Sequence, residues 1–391
     1  MRRWILAFAI LSGTFAPLIS QATAQEGQRA GAERRLSKRL LFTAIGAGVG
    51  ALTGGSYVAV QGAEQPGSCA SRGCVLSVTV AAGGLVGYMI GREFDQLHLL
   101  RYRGERPLKP EDVWAPLSGE PTILSARGGL IAVGGTTGIQ LFRSGARLQA
   151  EATRANGIRG ISAVDIAPAG ALALGALSGF YVFPPREGRG VLLRDAAVSA
   201  VATAGKRAYY ASGNRIESAS LDADTLRLWP GIDAESPVHD LDYDSTREFL
   251  WAASDSTLSG FRMEGDSLAL VGRISIPMGA RRISVSSDRV AIAFGETGIR
   301  IIDVTDPSAP VEAGRWAGAR FSYDVSLVGR RLFVAGGPEG VYVLDLSTSV
   351  PSVVGLARDL GFAAALESEG SHTYILDRRS NALRRILSDF R

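Results

Sequence analysis

The amino-acid sequence predicts an all-β fold for residues 118–391, and three observations carry this prediction. A unit of two short apolar runs joined by a small-residue or Gly-containing turn occurs seven times. No segment in this region shows the 3.6-residue periodicity of an amphipathic helix. The copies are also nearly evenly spaced. Measured at the first apolar residue after each turn, the intervals are 41, 36, 42, 41, 42 and 42 residues between Ile139, Phe180, Ile216, Leu258, Ile299, Val341 and Leu383.

Each copy has room for four strands, as the fifth copy illustrates. Its predicted inner strand is 280–287, a hairpin of 289–294 and 298–304 follows around Gly-Glu-Thr-Gly, and 310–317 is the fourth strand. Glycine supplies the positive φ that such a turn needs. Four strands in about 40 to 45 residues form the blade of a β-propeller, so we predict about seven blades. The last copy ends one strand short, and we expect residues 111–119 to supply that strand and close the ring.

The fifth copy also resembles a known repeat. Its sequence at 290–316 is similar to the LVIVD repeat of bacterial cell-surface proteins, in which an apolar hairpin ends in Asp-Val-x-x-Pro-x-x-Pro-Val. The sixth copy keeps Asp345 and Pro351, whereas the other five keep only the hairpin. The resemblance implies a propeller at the cell surface or in the envelope, and it implies no defined catalytic residues. The matching residues are Gly298, Ile299, Ile301, Ile302, Asp303, Val304, Asp306, Pro307, Pro310 and Val311.

The first 24 residues have the three parts of a secretory signal peptide. Arg2 and Arg3 give a positive start, 4–20 is uncharged and mostly apolar, and Ala22-Thr23-Ala24 gives the small-x-small cleavage pattern. We expect cleavage after residue 24, with an uncleaved anchor helix as the alternative. Either way, the following chain is exported from the cytoplasm. The polar and charged residues 25–39 then form a linker.

Residues 40–92 predict a helical hairpin with a stripe of glycines on each helix. The segments 40–63 and 74–91 carry no charge, and glycines spaced by four share one helix face, where they allow close backbone packing. The pattern resembles the glycine-zipper two-helix domains of bacterial envelope proteins. This implies membrane association through residues 40–91 and allows homo-oligomers. A helical exit and Pro-rich linker at 93–117 lead to the β-propeller. The helix-packing glycines are Gly46, Gly50, Gly54, Gly83, Gly87 and Gly91.

The loop between the two predicted helices contains both cysteines of the chain, Cys69 and Cys74. In an oxidising compartment they can close a small disulfide ring. The basic residues that flank the hairpin favour a cytoplasmic location for its ends, whereas the signal peptide places those ends outside. We favour an exported hairpin with a Cys69–Cys74 disulfide that does not span the inner membrane. Two true spans with a cytoplasmic loop are the alternative.

The sequence predicts no catalytic, cofactor-binding or metal-binding residue set. It lacks GxSxG and HExxH motifs, and its net charge of +4 gives no electrostatic case for nucleic acid. His239 is expected on an inner strand near the central channel, in a structural role. Trp229, Trp251 and Trp316 are expected to pack between blades. Four aspartates form a dense group, which we interpret as an acidic loop and inner strand, with Ca²⁺ ligation as the alternative: Asp233, Asp240, Asp242 and Asp244.

Three functions are compatible with these patterns. The first is an exported, membrane-associated propeller that binds an unknown protein or glycan on one face, as a binding or scaffolding module of the cell envelope, periplasmic or on the surface. The second is a propeller enzyme, such as a hydrolase or lactonase, with a site in the central channel. That enzyme requires acidic or histidine side chains converging from several inner strands. The third is a structural envelope protein that oligomerises through the glycine zipper. We favour the first, without a cofactor.

Overall fold

The computed structural model describes residues 44–45, 47–49, 51, 80–86, 106–108, 111, 114–136, 138–185, 188–221, 227–348 and 350–388. The chain divides into two compact units, Met1–Leu100 and Arg101–Arg391. In the first unit the described residues are helical, and they include Gly83. No helix among the described residues is both long and apolar enough to cross a bilayer. The signal peptide, both cysteines and the other five glycines of the predicted zipper lie outside the described residues.

The second unit is a ring of seven sheets, and in the first six blades four antiparallel strands follow in sequence order from the centre outward. Two short strands precede the first blade: β1 (Arg106–Pro107) and β2 (Trp114–Pro116). Blades one and two are β3 (Pro121–Arg127), β4 (Leu130–Gly135), β5 (Gly138–Ser144), β6 (Leu148–Arg154), and β7 (Ile161–Ile166), β8 (Leu172–Ala176), β9 (Gly179–Phe183), β10 (Val191–Arg194). Blades three and four are β11 (Ala200–Ala204), β12 (Arg207–Ser212), β13 (Arg215–Ser220), β14 (Leu228–Asp233), and β15 (Val238–Asp244), β16 (Phe249–Ser254), β17 (Thr257–Glu264), β18 (Ser267–Ser275). Blades five and six are β19 (Arg282–Ser286), β20 (Arg289–Ala293), β21 (Ile299–Asp303), β22 (Val311–Trp316), and β23 (Asp324–Val328), β24 (Arg331–Ala335), β25 (Val341–Asp345), β26 (Ser352–Ala357). Blade seven contains β27 (Ala363–Glu369), β28 (His372–Asp377) and β29 (Ala382–Leu387).

Blade seven obtains its fourth strand from the other end of the chain. Strand β2 pairs antiparallel with β29, which confirms the prediction for 111–119. The backbones of Leu117 and Asn381 bond across the same junction at 2.9 Å. The buried guanidinium of Arg385 contacts the Glu111 carboxylate and donates to the Gly145 carbonyl of blade one at 2.6 Å. Strand β1 adds in parallel to the outer edge of blade six. Part of the predicted linker 93–117 therefore belongs to the propeller and closes the ring.

Apolar faces of neighbouring blades pack against one another to form the core. One cluster joins blade seven to blade one and includes Leu117 from the closing segment. Aromatic contacts cross other junctions: Phe180 of blade two stacks on Tyr210 of blade three at 4.2 Å between ring centroids. Trp251 and Trp316 are buried, as predicted, and Trp316 meets Tyr342 of blade six. Burial of such large rings is a main source of the stability that holds separate sheets together.

The repeat motif of blade five has a structural explanation. The predicted strands of this blade agree with the observed ones within two residues at each end. Asp303 accepts the Thr305 backbone N–H at 2.8 Å, and Asp306 accepts that of Ser308 at 2.9 Å. Aspartates in such positions stabilise turns by replacing backbone acceptors. The motif carboxylates therefore shape the turn between the third and fourth strands.

Candidate functional site

The inner strands of the seven blades surround a central channel that contains a cavity of about 130 Å³. Strand pairing places residues of the inner strands at equivalent heights, in two rings. The first ring comprises Ile123, Ala163, Ala200, Asp240, Arg282, Asp324 and Ala365. The second ring, two residues further along each strand, comprises Ser125, Asp165, Ala202, Asp242, Ser284, Ser326 and Glu367. Five carboxyl groups from four blades thus converge on the channel.

Charge is distributed unevenly around the first ring. Blades four, five and six contribute Asp240, Arg282 and Asp324, and the Arg282 guanidinium lies 3.5 Å from an Asp240 oxygen. The other four blades contribute only alanine or isoleucine at this height. At the height of the first ring, one side of the channel is therefore ionic and the opposite side apolar, whereas the second ring places Asp165 and Glu367 on that opposite side.

Most carboxylates and hydroxyls of the two rings form hydrogen bonds between neighbouring blades, which we call staples. A side-chain oxygen in one blade accepts the backbone N–H of the residue that follows the ring position in the next blade. Adjacent inner strands do not pair with each other, so these N–H groups need another acceptor. The staples are Asp165 to Thr203 at 2.7 Å, Asp240 to Ile283 at 2.8 Å, Asp242 to Val285 at 2.6 Å, Ser284 to Leu327 at 2.9 Å, Asp324 to Leu366 at 3.0 Å and Ser326 to Ser368 at 3.0 Å.

Burial in the channel raises the pKa of three of the carboxyl groups that form staples. Burial, opposed by the hydrogen bond from the Val285 N–H and aided by the charges of Asp165 and Asp240, raises the pKa of Asp242 to about 7. Burial also raises the pKa of Asp324 to about 6, although Arg282 opposes this effect. The pKa of Asp240 is likewise raised by burial. The pKa values of two channel carboxyl groups are therefore displaced towards neutral pH.

Glu367 differs from the other four channel carboxyls because it accepts no hydrogen bond from any described residue. Burial raises its pKa well above the usual range, and the charges of Asp242, Asp324 and Asp165 act in the same direction. Arg127 of blade one opposes them. Within the described ranges, no three carboxylate, histidine or cysteine side chains are arranged to hold a metal ion. The channel thus contains one unengaged carboxyl group among four engaged ones.

The four aspartates that are dense in sequence do not form one site. Asp240 and Asp242 lie in the inner strand, as interpreted from the sequence, and line the channel. Asp233 lies on the outer strand and pairs with Arg215 at 3.0 Å, while Asp244 accepts the Thr246 N–H at 2.9 Å. The described geometry therefore does not favour the Ca²⁺ alternative.

His239 lies on the inner strand but outside the channel cavity. Its Nε2 atom is 2.5 Å from the Asp255 Oδ1 atom on the neighbouring hairpin, and both side chains are well exposed. The sequence did not single out Asp165, Arg282, Asp324 or Glu367. Their common signal is a charged residue at one of the alternate positions of an inner strand that face the channel.

A second candidate surface lies on one outer face of the ring. We call it the hairpin face, because it carries the hairpins between second and third strands and the loops that lead into the inner strands. Three half-buried rings there form an aromatic row, Phe321, Tyr323 and Phe362. Ring centroids are 4.4 Å apart between the first two and 5.1 Å apart between the last two. The Arg281 guanidinium lies 5.3 Å from the Phe321 ring.

Two glycine hairpins make room for this row. Gly295 and Gly337 have φ of 62° and 60°, which other residues rarely adopt. A Cβ atom on Gly295 would lie 2.8 Å from Phe321, and one on Gly337 would lie 2.6 Å from Tyr323. The hairpins of blades five and six are therefore shaped to seat the rings.

Comparisons with known proteins agree with this architecture. The LVIVD repeat family matches residues 279–317, which cover blade five and the loop leading into it. The WD40 domain of Pan2 from Neurospora crassa is 11% identical, with a TM-score of 0.56 over 73% of this chain and 98% of that one. A chain of the mitotic checkpoint complex is 11% identical, with a TM-score of 0.60 over 73% and 94% of the two chains. U3-55K is 13% identical, with a TM-score of 0.59 over 71% and 99%.

A search of curated protein sequences found no match. At these low identities the structural likeness establishes the fold alone. The chain contains a seven-bladed β-propeller, and an LVIVD repeat forms its fifth blade.

Proposed function

We propose that this chain is an exported, membrane-associated β-propeller that binds a protein partner in the cell envelope. The observation that carries the proposal is the use of the channel carboxylates. Four of the five, those of Asp165, Asp240, Asp242 and Asp324, bond the backbone of the next blade. The channel is thereby a structural element, and the hairpin face offers aromatic and arginine side chains to a partner. Such composition is typical of protein interfaces.

Export and membrane association rest on the sequence. The signal-peptide pattern ending at Ala24 supports export, and the glycine stripes at 46–54 and 83–91 support close helix packing in or on a membrane. The helical state of the described residues 80–86 is compatible with the second stripe. The zipper then tethers the propeller, and Cys69 and Cys74 close the loop between the helices.

The test is capture of partners from intact cells by the tagged full-length protein after chemical crosslinking. A matched chain that ends at residue 100 keeps the first compact unit and lacks the propeller. We expect an envelope protein to be captured stoichiometrically by the full chain and not by the truncated one. If both chains capture only further copies of themselves, the protein is a structural oligomer and the proposal is wrong.

One observation favours a second candidate, a hydrolase with its site in the channel. Glu367 has a strongly raised pKa and no hydrogen-bond partner among the described residues, which suits a general acid. The Glu367→Gln variant preserves the shape of the side chain and removes the proton. Hydrolysis of ester or lactone substrates that is lost in this variant, but retained in Ser284→Ala, would favour the enzyme. Absence of hydrolysis in the wild-type protein would eliminate this candidate.

A further inference from the structure

We propose that the hairpin face over blades five to seven binds its partner through an acidic segment that presents an aromatic or large apolar anchor. This inference rests on the proposed function and names the surface and the chemistry of the partner. The surface consists of the aromatic row, the Arg281 side chain beside Phe321, and Arg378, whose backbone N–H bonds the Phe362 carbonyl at 2.9 Å. The Arg281 guanidinium therefore lies beside the first ring, and the exposed residue Arg378 is bonded through its backbone to the residue of the last ring.

The aromatic row provides the place for an anchor. Phe321 and Tyr323 contact each other within the loop that leads into blade six, and Tyr323 contacts Phe362 of the loop that leads into blade seven. Gly295 and Gly337 place no side chain against Phe321 and Tyr323. Large rings that are held by packing lose little conformational entropy on binding, which makes them effective contact residues. Met278, on the same loop as Arg281, is 78% exposed and adds an adaptable apolar side chain to the edge of the surface.

The charges around the row select an acidic partner. The loops and hairpins on this face of blades five to seven contain five arginines and three carboxylates. One of those carboxylates, Glu339, already pairs with one of the arginines, Arg320, at 3.5 Å, and it also accepts the Arg320 backbone N–H at 3.0 Å and the Tyr342 hydroxyl at 3.2 Å, so arginine remains in excess. Arginine pairs with carboxylates in a bidentate manner and also stacks on aromatic rings. Carboxylates on either side of the anchor residue in the partner segment can therefore pair with Arg281 and Arg378.

The ring geometry favours a protein segment over a glycan. Sugars stack on flat, open aromatic faces, whereas these rings are inclined to each other by 41° between Phe321 and Tyr323 and by 66° between Tyr323 and Phe362. The row therefore offers ring faces and ring edges in several directions and no single flat platform. Such a surface suits the side chains of a peptide better than the flat face of a sugar ring.

The test measures binding of the full-length protein to a short synthetic peptide that alternates Asp with Phe, by fluorescence anisotropy. Two control peptides replace Asp with Lys or Phe with Ala. We expect the Asp–Phe peptide to bind more tightly than both controls and to weaken with added salt. Arg281→Glu and Arg378→Glu should each reduce the affinity by about tenfold or more. Arg159→Glu is the matched control, since Arg159 is exposed on the same face at the loop leading into blade two.

The outcomes separate this inference from the proposed function. Three results would overturn the inference. The three peptides could bind equally, or Arg159→Glu could lose as much affinity as the two test variants. Neutral oligosaccharides, and not unlabelled Asp–Phe peptide, could displace the labelled Asp–Phe peptide. Capture of the envelope partner is then repeated with the Arg281→Glu/Arg378→Glu variant. Capture that persists unchanged means that the partner uses another surface, so the inference fails while the proposed function stands. Absence of capture by the wild-type chain contradicts the proposed function itself.

Discussion

Replacement of Asp242 by Asn should change how the stability of the propeller depends on pH. The folded state raises the pKa of this carboxyl from its ordinary value of 3.8 to about 7, through burial first and the charges of Asp165 and Asp240 next. Because the folded state holds this proton more tightly than the unfolded state, the contribution of Asp242 to stability is greatest below about pH 4 and falls as pH rises towards 7. Above about pH 7 the buried carboxylate is ionised, and its desolvation lowers the free energy of unfolding.

The size of the effect follows from the shift. A difference of about three pKa units corresponds to about 4 kcal/mol as an upper limit, and shared titration with neighbouring carboxyls reduces it to about 2 to 4 kcal/mol. An Asn side chain keeps the acceptor for the Val285 N–H and never ionises. Between about pH 5 and pH 8 only the part of the shift that lies above pH 5 is lost, so we expect Asp242→Asn to gain about 1 to 3 kcal/mol in the free energy of unfolding at about pH 8, relative to its effect at about pH 5.

The assay is denaturant unfolding followed by tryptophan fluorescence across this pH range. Trp251 is buried and pairs in register with Asp242, so it reports on the same blade. Ser284→Ala is the control, because Ser284 occupies the equivalent ring position in blade five and has no charge to titrate. Its cost of about 1 kcal/mol should be the same at every pH. A difference between wild type and Asp242→Asn that does not change with pH, or that favours Asp at high pH, would refute the reasoning.

Three further predictions concern the closure of the ring, the hairpins and the cysteine loop. A chain that begins at residue 118 lacks β1, β2 and Glu111, and its thermal midpoint should fall by about 10 °C or more relative to a chain that begins at residue 101; equal midpoints would contradict closure by β2. Gly340→Ala should lower the free energy of unfolding by at least about 3 kcal/mol, because φ is 90° and a Cβ atom would collide with the Ala357 carbonyl oxygen. Gly370→Ala has open space around the new Cβ atom and should lower it by about 1 kcal/mol, and calorimetry of both variants checks this order. Cys69 and Cys74 should react with a membrane-impermeant thiol reagent in intact cells only after an external reductant is added, and labelling without reductant after lysis alone would place the loop in the cytoplasm.

The repeat architecture could be predicted because it depends on local signals. Turn glycines and apolar hairpins recur with nearly constant spacing, and a missing last strand leaves a gap that only the other end of a closed ring can fill. The four strands of blade five follow directly from alternation and turn chemistry. The structural role of Asp303 and Asp306 could not be predicted in this way. An aspartate that stabilises a turn and an aspartate that binds a ligand look alike in sequence.

The channel could not be predicted in the same way. Asp165, Asp240, Asp324 and Glu367 come from four blades and are up to about two hundred residues apart in sequence. Their proximity depends on the register of each inner strand, and a shift of one residue would turn every side chain to the other face of its strand. The aromatic row has a similar origin, because Phe321 and Phe362 belong to loops of different blades that meet only when blades six and seven pack together.

The central claim, an exported propeller that works in the envelope, is tested most directly by asking on which side of the membrane the propeller lies. Val350 is 71% exposed in a turn of blade six, and Val350→Cys in a background of Cys69→Ser and Cys74→Ser gives one reactive thiol on the propeller. The account predicts that an impermeant thiol reagent labels this variant in cells whose outer membrane alone has been made permeable. Labelling only after the inner membrane is broken would place the propeller in the cytoplasm and contradict the account.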